Sequence, residues 1–159
     1  MSPDERFLDV LLDALDQVHL EAIIVGATAA IMQDAPVLTR DIDLLIRDTG
    51  LNRKKLEALS RHLGGTSPAP VFELTNTLRI LGTEIPIDIL LDRIAGGLTF
   101  ESLKSSAARI EVGRHTALVA TLEDVIRSKE AAGRPKDLAM LPILRDTVRV
   151  KKALQEEPR

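Results

Sequence analysis

Leu38-Thr39-Arg40-Asp41-Ile42-Asp43-Leu44-Leu45-Ile46 is the stretch that decides how this chain is read. Ile42 to Ile46 has the aliphatic character of a buried strand, yet Asp41 and Asp43 sit one residue apart at its start. In a strand, residues i and i+2 point to the same face. The two carboxylates therefore share one side, and two like charges so close resist burial. A divalent cation resolves the conflict, and paired oxygen ligands suit magnesium.

A third acid breaks an apolar strand further on. In Glu84 to Leu91, Ile85, Ile87 and Ile89 alternate with Pro86, Asp88 and Leu90. If the two strands are neighbours, Asp88 faces the Asp41/Asp43 pair across the ladder. Three carboxylates on one face suit one or two divalent cations, which would clamp the attacking and leaving oxygens of a phosphoryl displacement. The plain alternative is three strand-end acids facing water.

Around these acids the chain alternates helices and strands. Phe7, Leu8, Leu11, Leu12, Leu15 and Val18 form a helical stripe over residues 4–18. Ala22 to Val25 reads as a short strand, and a helix opens at Gly26 and runs to about Gln33. Asn52 is the expected cap of a helix from Arg53 to Leu63. Strands are expected at Val71 to Thr75 and Leu78 to Leu81, and a helical turn or two over residues 99–106. Arg109 to Val112 and His115 to Val119 suit a hairpin about Gly113. Thr121 starts a helix, and Pro135 suits the first turn of another. These readings give one α/β (α+β) domain over residues 1–159, with a mixed sheet core at about 20–120 and a short helical C-terminal segment at about 121–155.

Composition narrows the chemistry. The absence of cysteine excludes disulfides, thiolate metal sites and a cysteine nucleophile. His19, His62 and His115 are too scattered to suggest a metal cluster and read as surface or rim residues. No apolar run is long enough for a membrane span, and the acidic start does not resemble a signal peptide, so a cytoplasmic location is the default. The net charge of −3 argues against general coating of nucleic acid. The front of the chain is acidic and residues from about 104 onward are net basic, which suits metal-binding acids joined to phosphate-binding bases. Without Trp or Tyr, a base-stacking platform would have to come from Phe72 or Phe100.

Two further segments fit a phosphate-bearing ligand. Gly26-Ala27-Thr28-Ala29 lies between a strand and a helix, where small residues let backbone N–H groups approach an anion. A simple tight turn would look the same. Lys129, Arg134, Lys136 and Asp137 cluster where Gly133 and Pro135 break a helical run, offering a lysine point charge and an arginine fork. A solvated charged corner is the bland reading of that cluster.

In combination these pieces resemble the nucleotidyltransferase superfamily, whose best-known member is DNA polymerase beta. The likeness is nearest to small prokaryotic members, the minimal and AbiEii-type toxin nucleotidyltransferases. Their pattern is a Gly-Ser or Gly-Gly pair, then Asp-x-Asp or Asp-x-Glu, then a later strand acid. Here Gly26-Ala27 precedes Asp41-Ile42-Asp43 by thirteen residues, and Ile87-Asp88-Ile89 is similar to the third-acid strand. Lys129 to Asp137 resembles the lysine and Arg-x-Lys-Asp segments of the toxin branch. The resemblance implies magnesium-dependent transfer of a nucleoside monophosphate from an NTP such as ATP, with Mn2+ as an expected substitute. It implies metal binding by Asp41, Asp43 and Asp88, with Asp88 helping to deprotonate the acceptor hydroxyl. Gly26, Ala27 and Thr28 would hold phosphates, Lys129 and Arg134 would stabilise charge, and Asp137 would orient that group or the acceptor. A tRNA end, a protein hydroxyl and a small molecule are all open as acceptors, and a cognate antitoxin protein is an expected partner. Ala27 departs from the pattern by lacking a hydroxyl, for which Thr28 is the nearest replacement. A domain that has lost catalysis and acts as a binding module is the second reading. A phosphoacceptor receiver domain is a third, disfavoured because the first strand ends in Val25-Gly26 instead of an acidic pair.

Overall fold

The computed structural model describes residues 3–71, 74 and 76–156. In chain order the elements are α1 (Pro3–Gln17), β1 (Ile23–Val25), α2 (Gly26–Met32), β2 (Ile42–Ile46), α3 (Gly50–His62), β3 (Ala69–Pro70), β4 (Thr77–Ile80), β5 (Ile87–Leu91), β6 (Arg93–Ile94), β7 (Leu98–Thr99), α4 (Phe100–Ser106), β8 (Ala108–Val112), β9 (His115–Val119), α5 (Leu122–Ala132) and α6 (Pro135–Glu156). Seven strands form one mixed sheet in the order β3-β4-β5-β2-β1-β9-β8, and β6 and β7 form a small separate ribbon. None of the described helices is long and apolar enough to cross a membrane.

The central strands carry apolar side chains on both faces because helices cover both faces. Ile23, Leu44, Leu45, Ile46, Ile80, Ile87 and Ile89 are fully buried. The α1 stripe behaves as its periodicity predicts: Phe7, Leu8, Leu11, Leu12 and Leu15 are buried, and Asp4 and Glu5 in the first turn suit the positive end of the helix. Thr121 caps α5 by accepting from the Asp124 amide, and Gly133 ends α5 in the left-handed conformation.

The sheet register organises the site. β2 runs parallel to β5 with Asp43 opposite Asp88, β4 runs antiparallel to β5 with Arg79 opposite Asp88, and β1 runs antiparallel to β2 with Val25 opposite Asp43. Arg79, Asp88, Asp43 and Val25 therefore form one row across four adjacent strands. Partners in such a row point to the same face.

Several elements differ from expectation. The α3 cap is Thr49, whose hydroxyl accepts from the Asn52 amide, so the helix begins three residues before Arg53. Asn52 lies inside the first turn and its side chain donates to the Arg47 carbonyl. The edge strand β3 is at Ala69–Pro70, earlier than Val71 to Thr75, and residues 72, 73 and 75, including Phe72, lie outside the described residues. Phe100 is fully buried beneath the Arg47 guanidinium, which lies 4.1 Å from its ring centre, and is not among the residues lining the cleft over the acids. The C-terminal helix α6 runs 22 residues through Pro142, longer than a short segment.

Candidate active site

A cleft of about 740 Å³ opens over the charged row, lined by Arg40, Asp41, Asp43, Arg79 and Asp88 from β2, β4, β5 and the loop before β2, and by Lys129, Arg134 and Lys136 from the α5–α6 corner. A recess of about 130 Å³ continues from it past Asp43 to Gly26, Ser128, Lys129 and Asp137. The sequence-predicted residues thus converge, with Ala27 on the cleft wall, except Thr28, which is buried behind it and lines neither the cleft nor the recess. A larger groove of about 820 Å³ runs along α6 near Asp34 and Pro36, away from all three acids.

Asp43 stands at the centre. It is half-buried, and its carboxyl is pushed up from 3.8 to about 6. Burial is the largest cause, followed by the charges of Asp88 and then Asp41, while Lys129 and Lys136 pull the other way. The carboxylate lies directly against Gly26: a Cβ there would collide with Oδ2 of Asp43, and Gly26 has φ +66°. Only glycine satisfies both demands. The glycine expected to receive a phosphate therefore also seats the central acid.

Asp41 lies one residue before β2, at the lip of the cleft. Its carbonyl accepts from the hydroxyls of Thr28 at 3.2 Å and Thr39 at 3.1 Å. Thr28 is buried, so its hydroxyl proton goes to fixing the turn that presents Asp41. Asp88 is held by Arg79, whose Nε donates to Oδ1 at 2.7 Å and whose outer nitrogen donates to Oδ2 at 3.0 Å. This bidentate pair raises the Arg79 pKa further.

The basic corner is built on Asp137, which is fully buried. Lys129 donates to Oδ1 at 3.1 Å, and Arg134 donates through Nε to Oδ2 at 2.7 Å. Burial works to raise the Asp137 pKa, but the bonds from Arg134 and then Lys129 outweigh it, and the carboxyl stays below its usual range. Asp137 thus positions the two cations that face the acids. Lys136 and Arg40 are exposed at the cleft.

The donor set fits a divalent cation in part. Asp41 and Asp43 are hard oxygen donors at a spot where burial, and then the neighbouring negative charge, disfavours ionisation of Asp43. Among the described residues, however, no three such side chains converge closely enough to hold a metal as they stand. Arg79 donates one hydrogen bond to each Asp88 oxygen, so Asp88 would join the set through the lone pairs that remain and would compete there with the guanidinium. Arg79 was missing from the sequence reading. Its signal was the alternation in Thr77 to Ile80, which puts Arg79 and Thr77 on one face of a strand pairing with Asp88.

Comparison with known proteins adds a fold. No family model and no curated protein matches the sequence. Solved structures do match. ANT(2″)-Ia, in complex with adenylyl-2″-tobramycin, superposes with a TM-score of 0.65 at 18% identity, over 95% of this chain and 92% of that one. A nucleotidyltransferase-assigned protein of Thermotoga maritima gives 0.57 at 19% identity, over 99% and 97%. An antigenic nucleotidyltransferase-like protein of Paracoccidioides brasiliensis gives 0.51 at 17% identity, over 94% and 78%. At such identities the likeness is one of architecture: a mixed sheet with flanking helices, arranged as in these proteins.

Proposed function

We propose that this chain, which has the nucleotidyltransferase fold, transfers a nucleoside monophosphate from an NTP to an acceptor hydroxyl in a magnesium-dependent reaction. The observation that carries the proposal is the row in which Asp43 stands in register with Asp88, against Gly26 and opposite Lys129. That row puts acids for a cation beside a recess with cationic walls, which is what a metal-bound triphosphate needs.

Asp41 and Asp43 would hold the cation, and Asp88, oriented by Arg79, would join them. When bound, magnesium would neutralise the carboxylates and the triphosphate and polarise the P–O bonds. The recess would receive the terminal phosphates. Lys129 and Arg134, oriented by Asp137, would face the charge that develops on the leaving group, and the Gly26–Ala27 turn would let them approach. The acceptor oxygen forms a bond to the α-phosphorus, the bond from that phosphorus to the β-phosphate oxygen breaks, pyrophosphate leaves, and the hydroxyl proton passes to Asp88. Most of the work is positioning and electrostatics.

ANT(2″)-Ia was seen with adenylyl-2″-tobramycin, so a small molecule is one acceptor class in this fold. A tRNA end and a protein hydroxyl are the others. The test is incubation with α-labelled NTPs, Mg2+ or Mn2+ and each acceptor class, followed by mass spectrometry. The reading predicts metal-dependent labelling that Asp43→Ala abolishes with the fold intact. Absence of both NTP binding and labelling would end it.

A second reading is a catalytically silent binding module or a partner of an antitoxin-like protein in a toxin–antitoxin system. The Arg79 clasp on Asp88 favours it, since that acid is already neutralised. It predicts a stable complex in pull-downs from the native host and no metal-dependent turnover.

A further inference from the structure

The two edges of the seven-stranded sheet are built differently. β3 at one edge is two residues long and contains Pro70, which has no N–H to offer a neighbour. β8 at the other edge has five residues, Ala108-Arg109-Ile110-Glu111-Val112, without proline. The hairpin shows which of its backbone groups point outward. Only Gly113 and Arg114 join β8 to β9, with Val112 opposite His115 and Gly113 at φ +60°. Such a turn closes on a hydrogen-bonded pair at 112 and 115, so bonding to β9 recurs at Ile110 and Ala108. The far side of β9 agrees: the Ala120 amide donates to Ile24 of β1, which leaves His115, Ala117 and Val119 to bond toward β8. The amides and carbonyls of Arg109 and Glu111 therefore point away from the sheet, and no hydrogen bond reaches them among the described residues. Their side chains are exposed and unpaired within the described residues. Ala108, Ile110 and Val112 point to the other face and are half-buried.

We propose that the β8 edge docks a second copy of this chain, pairing antiparallel with its own equivalent about a two-fold axis at Ile110. Pairing centred there puts Arg109 opposite Glu111 of the second copy, and Glu111 opposite that copy's Arg109. These are the residues whose amides and carbonyls point outward, so each facing pair exchanges two hydrogen bonds. The same pairs are opposite in charge. A slip of two residues keeps the hydrogen-bond parity but sets arginine against arginine or glutamate against glutamate, so one register is selected. On the other face Ile110 meets its own copy and Val112 meets Ala108, which covers the three half-buried side chains. Charges on an edge strand ordinarily turn strands away. Here a foreign strand is turned away unless it carries the opposite charges in this order, and a copy of β8 carries them. The two Asp43 rows would lie seven strand spacings apart, roughly 34 Å across the joined sheet, and each site is complete within one chain. The pairing is therefore independent of the nucleotidyl-transfer reading. Five residues a side make a small contact, so the dimer is a weak one.

The test is sedimentation equilibrium of the full chain from micromolar to submillimolar concentration. It compares wild type with Arg109→Glu, Glu111→Arg and the double exchange Arg109→Glu/Glu111→Arg, each checked for an unchanged circular-dichroism spectrum. Wild type should reach the mass of two chains. Each single exchange turns both facing pairs from attraction to repulsion and should weaken association by about tenfold or more. The double exchange restores opposite charges and should associate like wild type, and an equimolar mixture of the two single variants should form a mixed dimer. Amide hydrogen exchange locates the contact. In wild type the Arg109 and Glu111 amides should gain protection as concentration rises, and the Ile110 amide, already bonded to β9, should not. Ile143→Asp, in the groove along α6, controls for the other exposed apolar surface and should leave association unchanged. Wild type that stays monomeric throughout overturns the proposal. So do a dimer that both single exchanges leave intact, a dimer lost in Ile143→Asp, a double variant that fails to recover, and Arg109 and Glu111 amides that stay unprotected in the dimer. If a single variant misfolds, the wild-type amide measurement and the double variant still decide the outcome.

Discussion

Replacing Asp43 by asparagine should make the metal-free protein more stable at pH 8, although it removes the residue on which function is proposed to depend. The Asp43 carboxyl is pushed up from 3.8 to about 6 by burial and by its acidic neighbours. Its folded-state pKa is therefore raised, so the folded protein resists losing that proton. The penalty is absent below pH 3.8, grows as pH rises, and is complete above about pH 6. At about 1.36 kcal/mol per pH unit, ionising Asp43 in the folded state costs about 3 kcal/mol at pH 8, an upper figure because water at the cleft mouth screens it. Asparagine keeps the shape and carries no charge. The variant should gain up to about 3 kcal/mol at pH 8 and only about 0.5 kcal/mol at pH 4. For a chain of this size that is a rise in Tm of roughly 6–12 °C at pH 8. The assay is thermal unfolding followed by far-ultraviolet circular dichroism in EDTA, since the chain has no Trp or Tyr to report by fluorescence. Adding Mg2+ at pH 8 should then raise the Tm of wild type more than that of the variant. A variant that melts below wild type at pH 8, or one with the same offset at both pH values, would refute the reasoning.

Asp137→Asn should destabilise the protein by about 3 kcal/mol or more, because it strands Lys129 and Arg134 beside a fully buried group; urea unfolding measures it. The same carboxyl has a lowered pKa, so its stabilisation is present above pH 3.8 and is lost as pH falls through the folded value, and Asp137→Asn should flatten the acid side of the stability profile. Gly26→Ala should cost about 1–3 kcal/mol and weaken Mn2+ binding, since the new methyl meets Asp43 and the backbone is left-handed there. Thr121→Ala should cost about 1 kcal/mol by removing the α5 cap, with NTP binding unchanged, as calorimetry and NTP titration would record.

Much of the fold was legible because its signals are local. The α1 stripe, the Gly113 hairpin, the Thr121 cap and the Gly133–Pro135 break each depend on a few adjacent residues, and each is where the pattern puts it. The start of α3 was misread because Thr49 and Asn52 are both good caps, and only the hydrogen bond distinguishes them. The ribbon of β6 and β7 was invisible: two residues per strand give no period to detect. At the site, the two acid strands read as such because aspartate is so costly among isoleucines. Their exact register is a tertiary fact, and so is the Arg79 clasp, which joins residues nine apart through a strand pairing. Gly26 was legible as special, but the reason, its contact with Asp43, depends on β1 lying beside β2.

The central claim is that Asp41 and Asp43 hold a metal that bridges to an NTP. Its most direct test is calorimetric titration of a non-hydrolysable ATP analogue into wild type and Asp43→Ala, with Mg2+ and with EDTA. The account predicts saturable binding by wild type with Mg2+, and binding at least about tenfold weaker in EDTA or in the variant. Equal affinity in all four titrations would contradict it.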